Sequence, residues 1–363
     1  MIHRLVLRNL LHRPVRTGLT ILAVAVEVAM IVMMVGVSEG LLTESLRRTR
    51  GVGADILIRP QFSGAALSTA DISDKLPAML IERYPQIEHA LGATVYTPGN
   101  VQTITGVDWP AFDAMSGGIV IFEGRTYAAP YEAVVDELYA RQEEVSIGDS
   151  IELMSRQFEV VGIMETGKMS RVFIPPETMS DLQGWQGRVS QVYLKLEDST
   201  KTRELIEDLQ TLLPNRVVIS VEDFLATMAT DVRRMSSQFV NIIISIAVAI
   251  GFIVVMLAMY TAILERTREI GVLKAIGASK AVIGSIVMRE TLVVSVIGIV
   301  VGYGLSVVGT ELVAIRYPLI PIIFIPEWLA GAAVLTIVGS IAGASYPAWK
   351  AAKADPCEVL SYE

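Results

Sequence analysis

The chain has 363 residues, of which 52% are hydrophobic and only 19% charged, with a formal net charge of −8. That apolar excess over ordinary soluble domains points to membrane spans, and the negative balance argues against nucleic acid as the main partner, because phosphate binding needs a basic surface. The single cysteine, Cys357, excludes an intramolecular disulfide. The three histidines, His3, His12 and His89, are too scattered for a metal cluster.

In chain order, Ile2–Arg13 reads as a short interfacial helix, with Arg4, Arg8 and His12 recurring every four residues opposite Val6, Leu7, Leu10 and Leu11. A topology signal with no further role explains the same basic residues. The first span follows at 17–40, and its apolar stretch Thr17–Val37 carries one charge, Glu27. Its length and the poor cleavage site Ser38-Glu39-Gly40-Leu41 identify a retained helix rather than a signal peptide. An acid near mid-membrane costs roughly 2.5–3.5 kcal/mol on insertion scales, so Glu27 should face protein or water. It is an intramembrane functional candidate, set against a purely structural bond to Ser245 or Tyr260 or a carboxyl that simply stays protonated.

Residues 41–238 change character. Short β-type runs occur at Asp55–Arg59, Val101–Gly106, Ile119–Phe122, Ala133–Val135, Ser150–Leu153, Phe158–Met164, Val172–Ile174 and Gln191–Leu196. Helical spacing occurs at Ile72–Tyr84 and Thr200–Leu213. Strands and helices without regular alternation predict an α+β domain between the first and second membrane helices. Gly162-Ile-Met-Glu-Thr-Gly167-Lys168-Met169 nearly matches a phosphate-binding loop. It lacks the Ser or Thr that would hold Mg²⁺ where Met169 stands, and reads as a glycine turn in a β-hairpin.

Three further spans are expected at 239–264, 281–309 and 328–346, the last ended by Tyr346-Pro347. The pairs Gly298/Gly302 and Gly339/Gly343 fit small-residue packing between helices. Arg4, Arg8, Arg13 and Arg16 precede the first span, and Arg266, Arg268, Lys274, Lys280 and Arg289 lie between the second and third. Lys350 and Lys353 follow the fourth, whereas the 310–327 loop has only Arg316 as a basic residue. The positive-inside rule therefore puts both termini and the 265–280 segment in the cytoplasm and the inserted domain outside. No nucleophile–His–acid arrangement can be assembled, so no catalytic residue is expected.

The segment after the second span carries the sharpest pattern: Leu264-Glu-Arg-Thr-Arg-Glu269-Ile-Gly-Val-Leu-Lys274-Ala-Ile-Gly277-Ala-Ser279. Alternating charge leaves the membrane on a helix, with Glu265, Arg268 and Glu269 on one face. A glycine then permits a sharp turn, and Ile270, Leu273 and Ile276 recur at helical spacing. A compact element of this kind can dock into a groove on another protein.

This segment resembles the signature of the FtsX/MacB/LolC permease family, matching it at Glu265, Arg266, Glu269, Ile270, Gly271, Leu273, Lys274, Ala275, Ile276, Gly277, Ala278 and Ser279. Gly53-Ala54-Asp55-Ile56, Glu123-Gly124-Arg125, Glu132-Ala133-Val134-Val135, Val145 to Asp149, Phe158 to Ile163 and the tail Pro347 to Leu360 resemble the same family in order, with Ser361 where Arg is common. The resemblance implies a non-catalytic permease in a bacterial inner membrane, working with a second copy or a paralogue and with cytosolic ABC ATPase subunits that hold the ATP and Mg. Glu265, Arg266, Glu269, Ile270, Gly271, Leu273, Lys274, Ala275, Gly277 and Ala278 would couple to that ATPase. Helical extensions at Ser38–Arg50 and Phe224–Gln238 would form a stalk. A hydrophobic, amphipathic or lipid-linked substrate is implied, with a periplasmic adaptor left open. The alternative within the family is an FtsX-like regulator of an extracytoplasmic cell-wall hydrolase.

Overall fold

The computed structural model describes residues 13–61, 70–97 and 103–353. The expected interfacial helix over residues 2–13 and the end of the tail therefore lie almost wholly outside the described residues, as do the first two positions of the expected strand Val101–Gly106. Of the described residues, those within 1–40, 234–315 and 320–363 form one compact unit, and those within 41–233 and 316–319 form the other.

The first unit is built on four helices long and apolar enough to cross a bilayer. They are α1 (Pro14–Arg50) and, numbered by their place in the whole chain, α7 (Val221–Glu265), α9 (Lys280–Arg316) and α10 (Pro326–Lys353), with a short α8 (Thr267–Ala275) between α7 and α9. Half of the most apolar stretch of α1 is buried, against a third or less in the others, so α1 is the central helix of this unit.

Close approach at glycines adds to a buried aliphatic cluster that includes Val28, Ile31, Val35 and Ile244. A Cβ on Gly298 would lie 2.5 Å from Val24, and one on Gly302 would lie 2.7 Å from the Ala25 carbonyl. A Cβ on Gly343 would lie 2.6 Å from the Phe252 carbonyl. The small-residue pairs thus seat α9 on α1 and α10 on α7, as lipid-immersed packing favours. One expectation fails here, since α10 continues through Pro347 to Lys353. Proline removes one helical hydrogen bond and crowds the carbonyl four residues back. Membrane helices tolerate that where neighbours and small residues absorb the adjustment, and both Gly343 and Pro347 are buried against the other helices.

The second unit is the inserted domain. Its elements are β1 (Ile56–Pro60), β2 (Ile72–Ser73), α2 (Leu76–Arg83), β3 (Ile87–Tyr96), β4 (Ile104–Val107), α3 (Trp109–Met115), β5 (Ile121–Gly124) and β6 (Glu132–Asp136). They continue with α4 (Glu137–Glu143), β7 (Ser150–Leu153), β8 (Arg156–Met164), β9 (Val172–Ile174), α5 (Pro176–Gln183), β10 (Arg188–Val189), β11 (Gln191–Leu196), α6 (Thr202–Leu212) and β12 (Arg216–Ser220).

A ten-stranded mixed sheet runs β12-β1-β11-β3-β4-β9-β6-β8-β5, with β7 paired on β8, and β2 pairs β10 separately. Among the described residues only β4/β9 and β6/β8 are parallel. At its middle, Trp109, Phe112, Phe173 and Tyr127 form an aromatic cluster with ring centroids 5.2–6.1 Å apart. Edge-to-face contacts add to the burial of such rings. The strand at Ile87–Tyr96 and the helices α3, α4 and α5 escape the sequence reading. The 162–169 stretch also departs from it: β8 and β9 do not pair with each other, so residues 165–171 form a connecting loop rather than a hairpin turn.

Candidate functional site

The segment that ends α7 and begins α9 is a braced bracket. The helix axis breaks at Arg266, whose φ of −109° and ψ of 17° leave the helical region. Glu265 therefore closes α7 while Glu269 belongs to α8, and the two do not share one helical face as the spacing suggested. Glu265 pairs with Arg16 on α1 at 2.7 Å and with Arg13, just before that helix, at 3.1 Å. Arg266 reaches Glu290 on α9 at 3.2 Å, and Lys274 donates from Nζ to the Ala352 carbonyl on α10 at 2.7 Å. Three of the expected coupling residues thus brace this segment to the other three long helices, Glu265 and Arg266 at the α7–α8 junction and Lys274 on α8 itself.

Gly271 sits buried within α8 and makes no turn. The turn falls at Gly277, whose φ of +99° is left-handed. The Gly277 and Ala278 N–H groups close the helix end by donating to the Lys274 and Leu273 carbonyls, each at 3.0 Å. A Cβ at Gly277 would meet nothing within 4 Å, so its backbone angle rather than space demands glycine. Ser279 then accepts the Val282 N–H at 3.4 Å as α9 begins.

Ile270 and Leu273 turn inward, lining a small apolar recess with Met259, Ile263, Ile283 and Val287. The outward side carries Val272, Ala275 and Ile276, while Glu269, itself exposed, sits at the rim of the recess, which Arg266 and Glu290 also line. Ile276 is 78% exposed and Val272 47%. Val272 on α8 and Ile276 at its C-terminal cap, four residues apart and both exposed, form an apolar knob. Val272 and Ile276 are the residues that the expected coupling set omits. The spacing puts Ile276 in one row with Ile270 and Leu273; the structure leaves it exposed beside Val272, four residues earlier, because the helix ends just before it. Glu290 is likewise missing from that set, although an acid at the start of a span calls for a partner.

Glu27 is not part of this arrangement. It is 6% exposed on α1 and its carboxylate lies against Gly251 on α7, where a Cβ would collide with it. Gly251 stands fourteen residues before Glu265, about 20 Å along a helix. Ser245 and Tyr260 are engaged elsewhere, with the Asn241 carbonyl and with Lys350.

A profile of the MacB-like periplasmic core domain matches residues 17–212, and one of the FtsX-like permease C-terminal region matches 241–356. The chain belongs to the MacB/FtsX-type ABC transporter permease family. It is a multi-pass membrane protein, and the inserted domain is its extracytoplasmic part. It is similar to a macrolide export ATP-binding/permease protein MacB of Nitrobacter winogradskyi, at 26% identity over 96% of this chain and 58% of the relative. It is also similar to the uncharacterized ABC transporter permease YknZ of Bacillus subtilis, at 24% identity over 99% of this chain and 98% of the relative. The chain thus spans about three fifths of the MacB relatives it matches and nearly all of the permease YknZ. A solved periplasmic region of MacB from Actinobacillus actinomycetemcomitans aligns over 49% of this chain and 94% of its own, at 14% identity and a TM-score of 0.37.

Proposed function

We propose that this permease is driven by a separate cytosolic ABC ATPase, which binds ATP and Mg and seats on α8, and that it exports or extracts a hydrophobic, amphipathic or lipid-linked substrate. In this reading both termini and α8 are cytoplasmic, and two permease copies, or this chain and a paralogue, complete the transporter. The observation that carries it is the exposed Val272/Ile276 knob on a short helix whose junction with α7 is braced to α1 and α9 and whose Lys274 is braced to α10. A free apolar tip on a rigid base is what a partner groove can push on without the push being lost in local bending. Export of macrolides belongs to the MacB relatives by description; the broader substrate class proposed here accommodates it. YknZ, matched along nearly its whole length, supports a permease whose ATPase is another chain.

The test is capture of the ATPase by the tagged full chain in detergent. Ile276→Asp puts a charge on the knob and should weaken capture about tenfold or more, equivalent to at least ~1.4 kcal/mol. Glu269→Lys, at the exposed rim of the recess, should uncouple hydrolysis from transport. Capture of an extracytoplasmic hydrolase with no ATP-dependent export, or normal coupling in both variants, would overturn the assignment.

A further inference from the structure

Within the extracytoplasmic unit, the last turns of α1 are gripped by the loop 165–171 that joins β8 to β9. The Met169 N–H donates to the Arg48 carbonyl at 2.9 Å. A Cβ on Gly51, just past the helix end, would collide with the Gly167 carbonyl, so the two backbones touch there. Beneath this contact lie four charges. Arg171 pairs with Asp136 at 3.1 Å and Glu44 at 3.6 Å, and Arg48 approaches Glu44 at 4.0 Å. Asp136 is fully buried and Arg171 is 5% exposed. The loop is fastened to the sheet as well: the Asp136 N–H donates to the Arg171 carbonyl at 2.8 Å, and Ser170 donates to the Thr103 carbonyl. Lys168 donates to the Ser116 and Gly118 carbonyls at 3.1 and 3.3 Å.

Two features separate this cluster from ordinary core packing. Buried charge networks are weak stabilisers, and apolar groups of the same volume usually serve a core as well. Among the described residues, Glu44 Oε1 and Arg48 Nε also lack any hydrogen-bond partner while buried. The 3.6 and 4.0 Å separations fall on the order of 1 Å short of hydrogen bonds, so a small slide of α1 would exchange one pairing for another. The sheet order gives the grip its consequence. The chain runs from α1 directly into β1, beside the β12 edge, whereas the loop and Asp136 belong to β8, β9 and β6 in the opposite half. Without the grip, α1 would pull on one half of the sheet only.

We propose that the 165–171 loop and the Glu44/Arg48/Arg171/Asp136 cluster form a joint that locks the outer end of α1 to the β6–β8–β9 half of the sheet, so that movement of α1 carries both halves. This rests on the ATPase-driven reading above. The segment whose glycines imitate a nucleotide loop thereby has a mechanical role.

The test uses the full chain with Cys357→Ser, spin-labelled at Leu41→Cys on α1 and Glu152→Cys on β7, alone and with the co-purifying ATPase, with and without Mg-ATP and vanadate. The expected result is one narrow distance distribution, the same in every state. Gly51→Ala should broaden it by several ångströms, because the added methyl has only backbone to displace. The control Gly184→Ala places alanine at a φ of +70° with nothing within 4 Å, a general loss of stability away from the joint. It should leave the distribution narrow while ATP hydrolysis persists in both variants. A distance that shifts with nucleotide in the unmodified joint, or equal broadening in both variants, would overturn the joint. The state without ATPase reads the joint alone. Failure of the ATPase-driven reading would show separately, as unchanged capture in Ile276→Asp.

Discussion

The four long helices and the ten-stranded sheet both bury apolar side chains, but they weight large side chains and close approach differently. In the sheet domain large side chains fill space: Phe112, Phe158, Phe173, Met115 and Met164 are all essentially inaccessible. In the helical unit the decisive contacts are made where side chains are missing, at Gly298, Gly302, Gly309 and Gly343. The difference follows from the solvent. Water rewards the domain for hiding apolar area, while lipid is as apolar as leucine, so helices in it associate through close van der Waals approach. Cores of the first kind tolerate a repacked side chain, and seams of the second kind tolerate nothing added.

The largest effect should come from breaking such a seam. Gly302→Leu must fit a side chain where a Cβ alone would stand 2.7 Å from the Ala25 carbonyl and 2.8 Å from Val28. Backbone cannot yield as a side-chain tip can, so α9 should separate from α1. The helical unit should then lose its cooperative unfolding transition in mild detergent, whereas the hydrogen-exchange protection of β3 and β11 should persist. A variant that keeps both would show that the α1/α9 seam does not hold this unit together.

What the sequence revealed divides along the same line. The four long helices were legible because about 20 apolar residues in a row have few other uses. The strands at Ser150–Leu153, Val172–Ile174 and Gln191–Leu196 lie where branched and aromatic residues alternate between turns. Ile87–Tyr96 was not legible, because Ala90, Gly92 and Ala93 are poor strand formers. Its conformation comes from pairing with β11 and β4 on either side. The helices α3 and α4 are only seven residues long, too short for periodicity, although Asp108 and Asp136 cap them and could have been noticed. In the candidate site, the motif revealed which residues belong together. It did not separate the bracing residues Glu265, Arg266 and Lys274 from the exposed Val272 and Ile276, because the braces are contacts with helices distant in the chain.

A middle-sized effect concerns β6, which begins and ends on an acid. Glu132 accepts Arg125 at 2.6 and 2.8 Å and the Ala128 and Ala129 N–H groups at 2.7 and 3.1 Å. The Arg125 bonds first, then the backbone donors, hold its carboxyl down at about 2. Asp136, by contrast, is pushed up to about 6 by burial, only partly offset by Arg171 and the Tyr139 N–H. The signs oppose. Glu132 contributes stability that is present above its ordinary value of 4.5 and is lost as pH falls toward about 2. Asp136 binds its proton more tightly when folded, so its contribution is present below 3.8 and is lost as pH rises through about 6. Protection of the β6 amides should therefore strengthen on acidification through 6 and weaken below 4.5. Glu132→Gln should abolish the weakening and Asp136→Asn the strengthening. A wild-type profile that is flat across both windows would contradict the two environments.

The smallest effect tests whether the rule that nothing can be added holds when the obstacle is itself mobile. At Gly251 the neighbour is not backbone but the Glu27 carboxylate, the far end of a flexible side chain. Gly251→Ala should push the carboxylate aside and cost on the order of 1 kcal/mol, far less than Gly302→Leu. With Glu27→Ala the obstacle is gone, and alanine's better helix propensity, worth about 1 kcal/mol over glycine in soluble helices, should make the same substitution neutral or mildly stabilising. A double-mutant cycle read from unfolding in mixed micelles should therefore give a coupling of about 1–2 kcal/mol between positions 27 and 251. Additivity within about 0.5 kcal/mol would mean that the glycine is not there for the acid, and that the notch serves the approach of α1 to α7 alone.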